Sequence, residues 1–248
     1  MLEKKLERPP YAHNWVRNIG SDLESTAKKL VHLALGFPVK TYGAAGGIIR
    51  DRIISSLDRE TALKAALTTG RANSRQIVAD YVSAFYDYDE TRQYSGKPTY
   101  DEMVEPFRVG KGLVVPVKPL VNIVESGKLI PIFTVGWATF PLNNFQHRLL
   151  ATIFEDAVFS LRDFKNSPGE FVCFPVTGKG EDAVRKPLVW TRGDVDLLSR
   201  AELRDCLAMY LAALDAAKDI LREMPAKSAP AKEKRPTADP RQFEFVDF

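Results

Sequence analysis

Between Lys111 and Leu161 the spacing of apolar residues changes from that of an extended chain to that of a helix, and this change limits what the chain can fold into. The stretch reads KGLVVPVKPLVNIVESGKLIPIFTVGWATFPLNNFQHRLLATIFEDAVFSL. Gly112 to Val124 and Lys128 to Val135 are apolar runs of strand length, and Glu125-Ser126-Gly127 between them is a turn in which Gly supplies the positive φ. A β-hairpin is expected. Beyond Gly136 and Pro141, Phe145, Leu149, Ile153, Ala157 and Leu161 recur every fourth residue, behind an Asn143-Asn144 pair suited to an N-cap. A long helix with a wide apolar face therefore follows the hairpin, as in the middle of an α/β or α+β domain.

The flanks fit this centre. Val104 to Val109 reads as a strand ahead of the hairpin, making a three-stranded meander. Helices are expected from a capping box at Ser21-x-x-Glu24, over Gly46–Leu57, Arg59–Thr68 and Asn73–Tyr86, so the first third is helical. Tyr86 to Glu102 is polar and broken by Gly96 and Pro98, and reads as a solvated loop carrying Asp87, Asp89 and Glu90. Past the long helix come strands at Glu170–Val176 and Pro187–Thr191, and then a helix over Arg200–Arg222 behind a Ser199-x-x-Glu202 capping box. The expected class is α/β, with α+β open: a central mixed sheet with a three-stranded meander, flanked by helices.

Three regions follow from composition. Residues 1–20, with Pro-Pro after a charged start, form a flexible lead; residues 21–224 form one domain; residues 225–248 form a tail. PAKSAPAKEKRPTADP cannot bury enough apolar surface to offset its ordering entropy, so the tail is expected to be disordered. It closes on Phe243-Glu-Phe-Val-Asp-Phe248, an aromatic-acidic peptide of a kind that docks on partners.

Charge and special residues narrow the function. Across 248 residues, 35 basic against 32 acidic side chains leave a net charge of +3, so contact with a polyanion would need a local patch. Cys173 and Cys206 sit in apolar surroundings and read as buried thiols. His13, His32 and His147 have no metal-ligand spacing, and Tyr42-Gly-Ala-Ala-Gly-Gly47 lacks the Lys-Ser/Thr of a phosphate loop, reading instead as a bend entering a helix, although Arg50 and Arg52 nearby could meet a phosphate. Gly178-Lys179-Gly180 is a surface turn, with Lys179, Arg185 and Lys186 in its loop. No apolar stretch of membrane-spanning length and no secretory leader pattern appear, so a cytoplasmic protein without membrane contact is expected.

The register KPLVNIVESGKLIPIFTVGW…NNFQHRLLATIFEDAVF resembles the catalytic hairpin and following helix of the PD-(D/E)XK nuclease superfamily, the restriction endonuclease-like fold, in its RecB-like branch. In that family the first strand carries an Asp, the second an acidic-x-Lys trio, and the next helix a Gln in a Q-x-x-x-Y motif. Anchoring on Gly127-Lys128-Leu129 places Leu120 at the Asp, Phe133 at the second acid and Val135 at the Lys; Gln146 takes the helix position, with Leu150 where Tyr would stand. The resemblance is sharpest over about fifty residues.

The resemblance thus implies a scaffold without its catalytic trio, since Leu, Phe and Val neither hold Mg²⁺ nor activate water. It implies an inactive nuclease-like domain serving as a nucleic-acid-binding or scaffolding subunit, with Lys111, Lys118, Gln146, Arg148, Arg185 and Lys186 as candidate contacts to DNA or RNA and with no cofactor. One alternative is a Mg²⁺-dependent nuclease with a migrated acid. Glu155 falls opposite Gln146 on the helix, whereas Asp156 lies about 80° from it, making Asp156 the candidate. Another is a protein-interaction module that works through Phe243, Phe245 and Phe248.

Overall fold

The computed structural model describes residues 2–36, 42–92, 94 and 103–224. Phe243, Phe245 and Phe248 lie outside the described residues, as does most of the stretch before Met103. In chain order the helices are α1 (Glu3–Leu6), α2 (Ala12–Trp15), α3 (Leu23–Leu35), α4 (Gly43–Ser55), α5 (Arg59–Thr68), α6 (Arg75–Asp89), α7 (Asn144–Phe154) and α8 (Arg200–Glu223). The strands are β1 (Glu105–Gly110), β2 (Leu113–Val117), β3 (Val121–Glu125), β4 (Lys128–Val135), β5 (Glu170–Cys173), β6 (Val176–Thr177), β7 (Val184–Arg185) and β8 (Leu188–Thr191). The chain is mixed α/β.

Its centre is a four-stranded sheet in the order β3-β4-β5-β8, in which only β4 and β5 run parallel. The β3–β4 turn places both Ser126 (φ 52°) and Gly127 (φ 72°) in the left-handed region, the geometry whose twist matches a two-residue hairpin. Parallel pairing of β4 with β5 needs a crossover, and α7 provides it.

Alternation along the strands sorts the core into two halves. Val121, Ile123, Ile130, Ile132, Val172 and Phe174 face a cluster built with α4, α5 and α6. Phe133, Val135, Phe171 and Cys173 face the opposite cluster, which gathers α3, α7, α8 and the β1–β2 ribbon. A sheet buried on both faces reads as continuous apolar runs, which is why β3 and β4 look so uniformly hydrophobic. Cys173 and Cys206 are buried free thiols whose pKa burial pushes up to about 11.

The expected three-stranded meander is divided. The run from Gly112 to Val124 breaks at Lys118-Pro119-Leu120, and β1 pairs with β2 as a separate ribbon, apart from the four-stranded sheet. Pro119 has no backbone donor for a ladder, so the strand breaks and the chain bends there.

The first twenty residues are not a loose lead. Leu6, Ala12, Trp15, Val16 and Ile19 are buried, and Trp15, with 0% of its surface exposed, packs edge-on to Tyr210 of α8 at 4.8 Å. Burying an indole offsets the cost of ordering a short polar segment. Smaller corrections concern helix ends. Asp22, rather than Ser21, caps α3 by accepting from the Ser25 N–H at 2.7 Å. The Gly-rich run enters α4 already at Gly43, and its Arg52 is held by Asp89. Tyr86, Tyr88 and Asp89, expected in a solvated loop, are buried in the last turn of α6, where Asp89 pairs with Arg52 at 2.7 Å.

Two outcomes test this architecture. Trp15→Ala should lower the unfolding free energy by ~3–5 kcal/mol in a denaturant titration, whereas an unanchored lead would show no change. His13, which packs against Trp137, has its pKa lowered from 6.5 to about 4 by burial and by the charge of Arg17. Its neutral form is the native one, so its contribution is fully present above pH 6.5 and is lost as the pH falls through 6.5 towards 4. Stability measured across that window should drop by up to ~3 kcal/mol, and His13→Gln should flatten the slope.

Candidate functional site

Helix α7 begins with a reciprocal cap. Asn143 accepts from the Gln146 N–H at 2.8 Å, and the Gln146 side chain accepts from the Asn143 N–H at 3.1 Å. Gln146 Nε2 also donates to the Ile19 carbonyl at 2.7 Å, so this buried residue joins the N-terminal segment to α7. The helix then passes at Glu155–Phe159 into a π-helical turn. Such turns insert one residue into the helical repeat and often accompany functional sites.

The side of α7 opposite Gln146 faces a cavity of about 200 Å³, bounded by Ala151, Phe154, Glu155 and Phe159 on the helix and by Trp190, Arg192, Val195 and Leu197 beyond and within β8. Rings form its floor. Phe154 lies against Phe133 at 4.1 Å on one side and against Trp190 at 6.0 Å on the other. The chain after β8 is pinned onto α7 by two residues: Thr152 Oγ1 accepts from the Leu198 N–H at 2.8 Å, and Arg148 donates to the Leu197 carbonyl at 3.0 Å and to Glu202.

Polar groups are few and specific. Arg192 forms a two-pronged pair with Glu155, donating from Nε at 2.8 Å, and its guanidinium lies over the Phe159 ring at 4.8 Å. His147, one turn before Ala151, meets the edge of Trp190 at 4.8 Å and of Phe140 at 5.0 Å, and burial lowers its pKa. Among the described residues, the buried side-chain polar atoms with no hydrogen-bond partner include His147 Nε2, Trp190 Nε1 and Arg148 Nε here, and Trp15 Nε1, Arg92 Nε and Asn122 Oδ1 elsewhere. Such unsatisfied buried atoms are uncommon, and of these residues Trp190 lines the cavity.

The surface around the cavity mixes exposed leucines with the exposed acids Asp194 and Asp196. Leu188 (42% exposed) lies on the same face of β8 as Trp190, and Leu197 (44%) forms the far rim. The free edge of β8 is blunted. The Lys186 N–H donates inward to Pro175 and the Arg192 N–H to Pro168, so odd-numbered residues direct their backbone groups outward. Among those, Pro187 has no N–H, and the Thr191 N–H is taken by Asp194 Oδ2 at 2.7 Å.

The residues singled out from the sequence are dispersed. Phe133 and Val135 belong to the α7 side of the sheet, whereas Leu120 packs on the α4 side, its Cδ1 close to Gly46. The three do not share a hollow. Asp156 is exposed and away from the cavity, while Glu155 lines it. The helical angle between Gln146 and Glu155 holds, but the cavity lies on the side away from Gln146. Three of the candidate nucleic-acid contacts have intramolecular tasks: Lys111 pairs with Asp215 at 2.9 Å, Arg148 holds Glu202, and Gln146 belongs to a capping box. Lys118 is half-buried and Lys186 exposed.

Arg185 sits at the carboxyl ends of β4 and β5, donating from Nη1 to the carbonyls of Phe174 (2.8 Å), Gly136 and Trp137 and from Nη2 to the Tyr42 hydroxyl at 2.9 Å. In open α/β sheets that end is where ligands enter. Here a guanidinium fills it. A second polar knot, Arg92 with Glu125 and Glu170, ties the end of α6 to β3 and β5. Burial alone would raise the Glu170 carboxyl, but the hydrogen bonds from Arg92 and Tyr88 outweigh it and hold the group ionised.

Among the described residues, no group of three or more His, Cys, Asp or Glu side chains is placed to hold a metal ion, and no helix is long and apolar enough to cross a membrane. No protein-family model matches the chain, and no curated protein matches it.

The cavity geometry separates two neighbouring acids. Glu155→Ala leaves the Arg192 charge against Phe159 and should cost ~1–2 kcal/mol in urea unfolding, between the values for exposed and buried pairs. Asp156→Ala should stay within ~0.5 kcal/mol of the parent.

Proposed function

We propose that this domain is a protein-binding subunit, a scaffold component whose contact surface is the face formed by α7, β8 and residues 193–198. The observation that supports it is the coincidence of an aromatic-floored cavity of about 200 Å³ with exposed Leu197 at its rim and exposed Leu188 further along the same face of β8. A cavity of that size admits one large side chain rather than a cofactor, since small-molecule sites run to ~300–1,000 Å³. A buried aromatic anchor within an apolar rim is the common form of an interface hot spot. Of the nitrogens near this face that are buried and unpartnered among the described residues, Trp190 Nε1 belongs to a residue that lines the cavity.

The hairpin, helix and parallel strand in sequence support a PD-(D/E)XK-like origin for the scaffold. The separation of Leu120 from Phe133 and Val135 weighs against carrying that family's catalytic geometry to this chain. Nucleic acid is the less favoured partner, because Lys111, Arg148 and Arg185 are already engaged within the domain.

The test is comparative capture. A partner held by the parent should be lost from Leu197→Asp and Leu188→Asp, both surface changes that leave the melting temperature near that of the parent, and kept by Glu60→Lys on α5. Salt-dependent DNA or RNA binding that survives both face variants would overturn the proposal.

A further inference from the structure

Resting on the reading of the α7–β8 face as a docking surface, we infer that its occupant is the same face of a second copy of this chain, related by a two-fold axis, with Leu188 of each copy seated in the cavity of the other. Such a contact must be self-complementary, because one patch meets itself after a half-turn. In shape the face meets that condition. Its receptor is the cavity of about 200 Å³ floored by Phe154 and Trp190 and rimmed by Leu197, and its knob is Leu188, 42% exposed. Leu188 stands opposite Cys173 and Trp190 opposite Phe171 in the sheet, so both side chains leave β8 on the α7 side, about 7 Å apart along the strand. A two-fold axis between them carries each knob onto the other copy's cavity.

Charge is arranged in the same sense. Lys186, which is exposed, lies two residues before Leu188 at the knob end. Asp194 and Asp196, both exposed, lie at the cavity end, interleaved with Gly193, Val195 and Leu197 of its lining. The hydrogen bonds that Asp194 accepts from Thr191 hold its carboxylate in place without cancelling its charge. Lys165 is a further exposed cation, brought to this region by the bond from Arg192 to its carbonyl, while Arg192 itself is matched by Glu155. The half-turn that sets Leu188 over the cavity sets Lys186 over the acids, twice per dimer. A face of one sign would repel its own copy, whereas one with opposite signs at its two ends attracts it.

The other way for two copies to meet, edge to edge along β8, is closed by Pro187 and by the Thr191 N–H held in Asp194. The copies therefore meet face to face. Because the half-turn fills both cavities at once, association stops at two copies.

Sedimentation of the full chain over a concentration series tests this. The parent should pass from monomer to dimer as its concentration rises, and Leu188→Asp should shift that transition to higher concentration. Lys186→Asp and Asp196→Lys, each alone, set like charges against each other twice and should weaken self-association roughly ten-fold or more. Mixed in equal amounts, the two variants should associate with each other, since both cross-contacts then join opposite charges. That rescue requires positions 186 and 196 to face each other across the copies. A parent that stays monomeric up to ~1 mM overturns the inference. So does a dimer indifferent to Leu188→Asp, a pair of charge variants that mixing does not rescue, or growth beyond the dimer. If the parent stays monomeric while Leu197→Asp still releases a captured partner, the face reading survives with a different occupant. Dimerisation that every one of these variants leaves intact, with capture equally indifferent to Leu197→Asp, removes both.

Discussion

The parallel pairing of β4 with β5 is the constraint on which the rest of this molecule depends. Two adjacent parallel strands cannot be joined by a turn, so the chain must leave the sheet, cross one face and return. Helix α7 makes that crossing and thereby covers Phe133, Val135 and Phe171, while α4, α5 and α6 cover the other face. Neither face of the central strands tolerates charge. Apolar side chains left in solvent are consequently found at the margin of the sheet, where Leu188 and Val189 of β8 are exposed.

At those margins the polar groups divide into locks and openings. Arg185 and the terminal nitrogens of Arg92 donate to carbonyls, carboxylates or a hydroxyl, and each joins segments distant in sequence. The α7–β8 cavity differs in that its Glu155–Arg192 pair borders an open hollow with an aromatic floor. The π-helical turn at Glu155–Phe159 widens the helix where it borders this space.

Much of the architecture is legible in the apolar spacing: the hairpin turn at Ser126-Gly127, the caps at Asn143 and Ser199, and α5 at Arg59–Thr68 all stand where local chemistry demands them. What escapes is what depends on distant partners. Trp15 anchors the N-terminus only because Tyr210 waits on α8, and nothing near Pro9-Pro10 signals it. The site escapes for a related reason. Helical arithmetic separates Glu155 from Gln146 correctly, but Arg192, which identifies the Glu155 side as the one facing a cavity, is 37 residues away. Arg148 and Arg185 look like surface cations in sequence, because carbonyl acceptors leave no mark in it.

The blunted rim of β8 carries a consequence for behaviour in bulk. An open sheet edge is a template on which identical chains can stack, one strand after another, into fibres. Of the three outward-facing positions at 187, 189 and 191, the first lacks a donor and the third has its donor tied to Asp194, leaving Val189 between them. One isolated amide cannot seed a ladder. The chain can therefore keep Leu188, Val189 and Leu197 in water without that greasy margin becoming a point of uncontrolled polymerisation.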